Sequence, residues 1–423
     1  MTQETPHERD TKSEDAACAN GLVWEIGNGL ARTTVVVYLA REYGAGGLAI
    51  GLIAASQHLA GGLRFLAPEI LRRFPQRKSL AIATFVLSAL LLVALPMVAA
   101  PGVLPTKAAS LAALVGDWIA WHLVMFVGVI ALFSWFGDLV PASVRGEFFG
   151  RRERYRMIGA VGGALAAGGF AFAWIATNPK HLHWLAYAIP TCAGGFLMLL
   201  AVIPLVDMRP IVMQPAAAER PWREVFADPR YRRFLAFACW GAFANGVSQA
   251  PQFILPSLLG LPVIVPLALD AGLRLAQSLA APYVGRLIDR VGNRGVLIGS
   301  QLLTAGALGF YLFATKQQPY WIVGAWIFWI AYVGQNVALP NTLLALCPDA
   351  RSPRHIAGYY ACVGLAVGLG GVLGGAVFDQ FARNWSTTVA GVKIDRFQLF
   401  FLLGIALRAS AVAPLLQSRK SPQ

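Results

Sequence analysis

Twelve apolar runs, each near the length a helix needs to cross a bilayer, fill this chain from about residue 20 to residue 416. They fall at 21–40, 46–69, 79–100, 111–139, 157–177, 182–206, 234–254, 262–284, 296–315, 320–346, 358–378 and 397–416. A helix needs about 20 apolar residues to span hydrocarbon. Lipid offers the backbone no hydrogen bonds, so each crossing must satisfy its own. The expected class is therefore an all-α membrane protein with 12 transmembrane helices in two six-helix bundles. The hydrophobic fraction of 57% and charged fraction of 13% lie far from a soluble profile.

Lys and Arg pile up in alternate gaps. The second gap holds Arg72, Arg73, Arg77 and Lys78, and the fourth Arg145, Arg151, Arg152, Arg154 and Arg156. Arg209, Arg220, Arg223, Arg230, Arg232 and Arg233 follow in the sixth, Arg286, Arg290 and Arg294 in the eighth, and Arg351 and Arg354 in the tenth. The even gaps carry twenty basic residues against seven in the odd gaps. Basic loops stay in the cytoplasm, so the even gaps and both termini are expected there, in a multi-pass protein of the inner or plasma membrane. This distribution accounts for the net charge of +14 without nucleic acid, since no compact basic domain exists to hold it. Five cysteines, Cys18, Cys192, Cys239, Cys347 and Cys362, share no metal-ligand or CxxC spacing and read as small apolar residues. No metal and no cofactor is expected.

The sixth gap divides the chain. Residues 1–20, acidic at Glu4, Glu8, Asp10, Glu14 and Asp15, read as a disordered cytoplasmic tail and not as a signal peptide. Residues 21–206 form the first bundle and 207–233 a cytoplasmic linker. Within the linker, Met213–Ala218 is a flexible stretch, and Trp222, Val225 and Phe226 alternate with Arg223 and Glu224 as in a short interfacial helix. Residues 234–416 form the second bundle and 417–423 a second tail.

The halves echo each other. Gly285-Arg-Leu-Ile-Asp289-Arg290-Val-Gly292-Asn-Arg294 follows span 8, and a basic, turn-rich stretch from Pro68 to Arg77 follows span 2. Spans 5 and 11 are both Gly-rich, with Gly-x-x-x-Gly at 159/163, 364/368 and 371/375, a spacing that lets helix backbones approach closely in lipid. The loop after span 8 resembles the signature loop of the major facilitator superfamily, as does Pro141-x-x-x-Arg145-Gly146 with Gly150-Arg151-Arg152 after span 4. In topology the resemblance covers essentially the whole chain. The copy after span 2 departs from it, with Arg72 where Asp289 stands in the other. The resemblance implies that Gly285, Asp289, Arg290, Gly292 and Arg294, with Arg145 and Arg152, form a cytoplasmic gate. Physically, Asp289 can accept hydrogen bonds from a neighbouring helix N-terminus, and the arginines can bind carboxylates, helix C-termini or lipid phosphates.

A charge at the bilayer centre costs about 2.5–3.5 kcal/mol on insertion scales, so each needs a partner or a cavity. Spans 1, 2 and 4 carry Glu25 and Arg32, His58, and Asp117 and His122; spans 7, 8 and 10 carry Asn245 and Gln249, Asp270 and Arg274, and Gln335 and Asn336. The cavity map implied by the family makes these, Glu25 apart, candidates for its lining. Asp270 and Arg274 stand one turn apart, either as a structural salt bridge or as part of a site. His58 and His122 are either hydrogen-bonded inside a bundle or turned to solute. Arg408, in span 12, either snorkels or pairs within the protein. Trp118, Trp121, Trp240 and Trp329 serve as packing or as apolar walls. At mid-depth basic residues match or exceed acidic ones, which favours a polar or anionic solute. Glu25, Asp117 and Asp270 are candidates to carry a coupling proton. Span 5 lacks the Pro of the family's antiporter signature.

The expected function is a secondary transporter, acting as a monomer in the bilayer on a small solute, with a proton as the expected coupling ion. The rivals are a transport-inactive sensor or scaffold on the same frame, or a drug or metabolite exporter of the same superfamily. No protease, hydrolase or phosphate-loop motif stands in catalytic context, so an enzyme is not expected.

Overall fold

The structure, a computed structural model, describes residues 10–140, 144–210, 222–346, 353–382, 384–389 and 392–417. In chain order its first helices are α1 (Thr11–Leu30), α2 (Thr33–Glu42), α3 (Gly47–Ala60), α4 (Ala67–Arg73), α5 (Arg77–Val98), α6 (Lys107–Leu139), α7 (Arg145–Thr177), α8 (Leu185–Leu200), α9 (Ile203–Asp207) and α10 (Trp222–Val225). There follow α11 (Pro229–Val247), α12 (Gln249–Leu258), α13 (Ile264–Gly306), α14 (Gly309–Phe313), α15 (Trp321–Phe328), α16 (Tyr332–Leu346), α17 (Pro353–Gln380), α18 (Arg396–Ser410) and α19 (Ala413–Gln417). Every expected span is helical. Eight described segments are long and apolar enough to cross a membrane by length and composition. One of them, Ile264–Phe313, holds two spans joined at Gly292. Spans 1, 2 and 7 fall outside that set, and each is divided: α1 gives way to α2 at Arg32, α3 to α4 through a 3-10 turn at Gly61–Leu66, and α11 to α12 at Ser248.

The chain forms two compact units, Met1–Gly44 with Leu66–Pro215, and Ala45–Phe65 with Ala216–Gln423. The boundary at 215/216 lies in the expected linker. The sequence division had placed 45–65 in the first bundle, whereas by contact that segment joins the second unit. The cause is a seam of glycine. Near its start, a Cβ on Gly47 would lie 2.6 Å from the Gly375 carbonyl oxygen, so α3 and α17 touch backbone to backbone.

In the first unit α1 lies against α7 and α8, and α5 against α6 and α8. The core gathers Phe85, Leu132, Trp135, Phe136, Phe148 and Leu205. The acidic segment expected to be a disordered tail is helical from Thr11. Asp10 caps that helix, its Oδ1 accepting from the Ser13 amide (3.1 Å) and its Oδ2 from the Ser13 hydroxyl (2.8 Å). Those bonds hold its carboxyl below the usual range. Glu14 and Asp15 then pair with Arg151 of α7, at 3.2 and 2.9 Å. The tail orders because its acids meet the basic start of α7. Residues 1–9 and 418–423, and the Met213–Ala218 stretch, lie outside the described residues.

In the second unit α17 packs between α3 and α11, and α13 lies against α16. A short helix, α10, stands where the sequence suggested an interfacial one: Val225 is buried in the core, while Arg223 and Glu224 are exposed. Trp222 packs edge-on to Phe65 at 5.1 Å and carries the Arg354 guanidinium over its ring. A two-stranded antiparallel ribbon, β1 (Ser386–Val389) with β2 (Val392–Asp395), precedes α18. Asp395 ends the ribbon and forms a capping box with Gln398, which starts α18.

Candidate functional site

In the first unit the polar residues of α1 face α7. The Glu25 carboxylate accepts from Nε of Arg156 at 3.0 Å and also from its Nη2, and Asn28 Nδ2 donates to its other oxygen at 2.9 Å. Arg152, expected at a gate, is 6% exposed. Its Nε donates to the Ala17 carbonyl at 3.3 Å, and its guanidinium lies over the Phe136 ring at 4.9 Å. It ties α1, α6 and α7 together. Residues 141–143 and the Arg145 side chain lie outside the described residues. Arg32 stands at the break between α1 and α2, where its carbonyl accepts from the Val35 and Val36 amides. On α6, Trp118 and Trp121 are 1% exposed and stack at 4.7 Å, with His122 edge-on to both. Asp117 Oδ2 and Trp121 Nε1, one turn apart, are buried without a hydrogen-bond partner among the described residues.

In the second unit the candidates converge on a residue weighed only as a peripheral one. Arg408 of α18 is 1% exposed. It donates from Nη2 to Asn245 Oδ1 (2.7 Å) and Ser248 Oγ (3.0 Å), and from Nη1 to the Tyr332 hydroxyl (3.1 Å) and Thr304 carbonyl (3.3 Å). No carboxylate pairs with it among the described residues. Asn245 lies in the last turn of α11 and Thr304 in the last turn of α13, so two helix C-termini meet the guanidinium. Each carries roughly half a negative charge, which offsets the buried cation. Gln335 Nε2 joins the network through Thr304 Oγ1 at 3.2 Å. Arg408 thus pairs and does not snorkel.

The other candidates disperse. Asp270 and Arg274 pair at 3.1 Å, with the arginine half exposed. Gln249 Oε1 is buried without a partner among the described residues. The Gln57 side-chain Nε2 and the His58 imidazole Nε2 lie 3.3 Å apart. Asn336 is exposed. Trp329 packs in a core with Tyr311 and Phe401, whereas Trp240 is exposed and bonds Ser410.

The signature loop is tighter than expected. Helix continues through Gly285, and the turn is confined to Gly292 at φ 77°, ψ 159°, a conformation essentially reserved for glycine. Asp289 and Arg290 are exposed, and Asp289 has no hydrogen-bond partner among the described residues. Arg294 Nη2 donates to the Leu416 carbonyl at 3.2 Å.

A carboxylate at a helix N-terminus does occur, at a residue the sequence had not marked. Asp379, at the end of α17, accepts from the Gly47 amide at 2.6 Å and the Leu48 amide at 2.8 Å, capping α3 across the glycine seam. The available signal was an acid just past the last Gly-x-x-x-Gly and a Gly-Gly helix start. Asp379→Asn is expected to cost about 1 kcal/mol in thermal unfolding, since a neutral amide has one acceptor for two donors.

No curated protein matches the chain in sequence. The family model described as Major Facilitator Superfamily matches residues 268–416. Among solved structures, the nucleoside transporter NupG is 14% identical, with a TM-score of 0.71 over 97% of this chain and 100% of that one. A D-xylose-proton symporter is 16% identical, with 0.69 over 98% of each. A bacterial homolog to the human lysosomal transporter Spinster, inward-facing and occupied, is 16% identical, with 0.69 over 100% of each. At these identities the likeness is one of fold. The chain thus shares the fold of these solved structures over nearly its whole length, and its C-terminal residues 268–416 match the Major Facilitator Superfamily model.

Proposed function

We propose that the chain is a secondary transporter that moves a small polar solute by alternating access. The observation that carries this reading is the interruption of spans 1, 7 and 10 beside polar side chains: Arg32 between α1 and α2, Ser248 between α11 and α12, and a 3-10 turn at Trp329–Ala331 before Tyr332. Broken spans free backbone groups within the bilayer, which is where transporters hold solute and ions. The even gaps lie in the cytoplasm, and the linker near 207–233 joins the two halves.

Arg32 supports an anionic group on the solute. It sits at the N-terminus of α2, whose first amides have no partner within the helix and whose dipole favours negative charge. Glu25 and Asp270 are engaged with arginines, so proton coupling falls to Asp117, whose Oδ2 lacks a partner among the described residues. Uptake of labelled D-gluconate, D-xylose and uridine into proteoliposomes, with and without a pH gradient, tests this reading. Arg32→Gln is expected to weaken apparent affinity for an anionic solute about tenfold. Unchanged affinity removes Arg32 from solute recognition, and uptake indifferent to the gradient removes the proton.

A further inference from the structure

The hydrogen bonds around Arg408 have a direction. A guanidinium only donates, so the Asn245 amide must turn its oxygen toward Arg408 and its Nδ2 away. That Nδ2 has no protein partner among the described residues, and it is not enclosed. The same logic fixes Gln335. The Thr304 hydroxyl gives its proton to the Gln301 carbonyl at 3.1 Å, so it can only accept from Gln335 Nε2. Gln335 Oε1 is left outward, also unpartnered and not enclosed. Tyr332, which accepts from Arg408, and Gln335 lie three apart on one face of α16, and the Tyr332 hydroxyl is 3.5 Å from Asn245 Oδ1. The two outward atoms therefore share one neighbourhood of the second unit.

We propose that Arg408 is a positioning residue that sets the polarity of a solute-binding surface, with Asn245 presenting a donor and Gln335 an acceptor. The solute this surface fits carries an oxygen acceptor beside a hydroxyl, as a sugar, a sugar acid or a nucleoside does. The proposal rests on the transporter reading and adds its specificity. Arg408 never touches solute. It holds the last turn of α11 and the start of α16 in one arrangement, at the level where spans 7 and 10 are interrupted.

Asn245→Asp separates this role from a purely structural one. The carboxylate keeps an oxygen on Arg408 and turns that bond into an ion pair, so melting temperature in detergent is expected to hold or rise. The outward atom becomes an acceptor, so affinity for whichever of D-xylose, D-gluconate or uridine the wild-type protein takes up falls about tenfold or more. Arg408→Lys, which keeps the charge without the planar fork, is expected to fold and to lose affinity in the same assay. Asn245→Asp binding as the wild type does, or melting lower, overturns the inference alone. Wild-type protein that takes up none of the three overturns the transporter reading and this inference with it.

Discussion

Gly163→Val is expected to leave little folded protein, while Gly162→Val in the same helix is expected to behave as wild type. A Cβ on Gly163 would fall against the Ile26 carbonyl group and 3.1 Å from the Gly29 Cα. From the other side, a Cβ on Gly29 would lie 2.6 Å from the Ala160 carbonyl oxygen. These obstacles are backbone, so no rotamer change relieves them. Overpacking a core costs about 1–3 kcal/mol where side chains can yield, and here helix α1 itself must move. The movement would part the Glu25–Arg156 and Arg151–Glu14 pairs that the same crossing aligns. A Cβ on Gly162 meets nothing within 4 Å. The check is monodispersity and melting temperature of the two proteins in one detergent. Equal stability would show that α1 and α7 do not cross at this glycine.

Glu25→Gln is expected to lower stability by about 2–3 kcal/mol, because it strands the Arg156 guanidinium against a neutral amide. The figure lies below that for a fully buried pair, since the Arg156 side chain is 32% exposed and keeps Glu153 at 2.7 Å. Arg156→Gln in the Glu25→Gln background is expected to recover much of the loss, as removing both charges leaves neither unpaired. Thermal unfolding of the four proteins closes the cycle. A Glu25→Gln protein of wild-type stability with uptake indifferent to a pH gradient would instead make Glu25 the proton carrier.

The spans were legible because apolar runs of about 20 residues have one physical reading in this setting. Helix ends were not, because polar flanks continue a helix when they find partners. Arg156 was read as a loop anchor, yet α7 begins at Arg145 and carries it to Glu25. The Gly-x-x-x-Gly pairs showed that backbones would touch, but not which helix they would meet. The 371/375 pair draws α3 out of the first half and into the second unit. Asn245 and Gln335 were legible as intramembrane polar groups. Their common tie to Arg408 was not, since it joins Arg408 to neutral acceptors 163 positions away at Asn245 and 76 away at Tyr332. Charge matching in sequence cannot find a cation stabilised by helix ends.

The most direct test of a carrier is counterflow. Proteoliposomes are preloaded with unlabelled solute and diluted into a trace of the same labelled solute, using D-xylose, uridine and D-gluconate in turn. Alternating access predicts a transient accumulation of label above equilibrium for at least one of them, abolished in protein-free vesicles. Label that only binds, or equilibrates without overshoot for all three, would contradict a carrier.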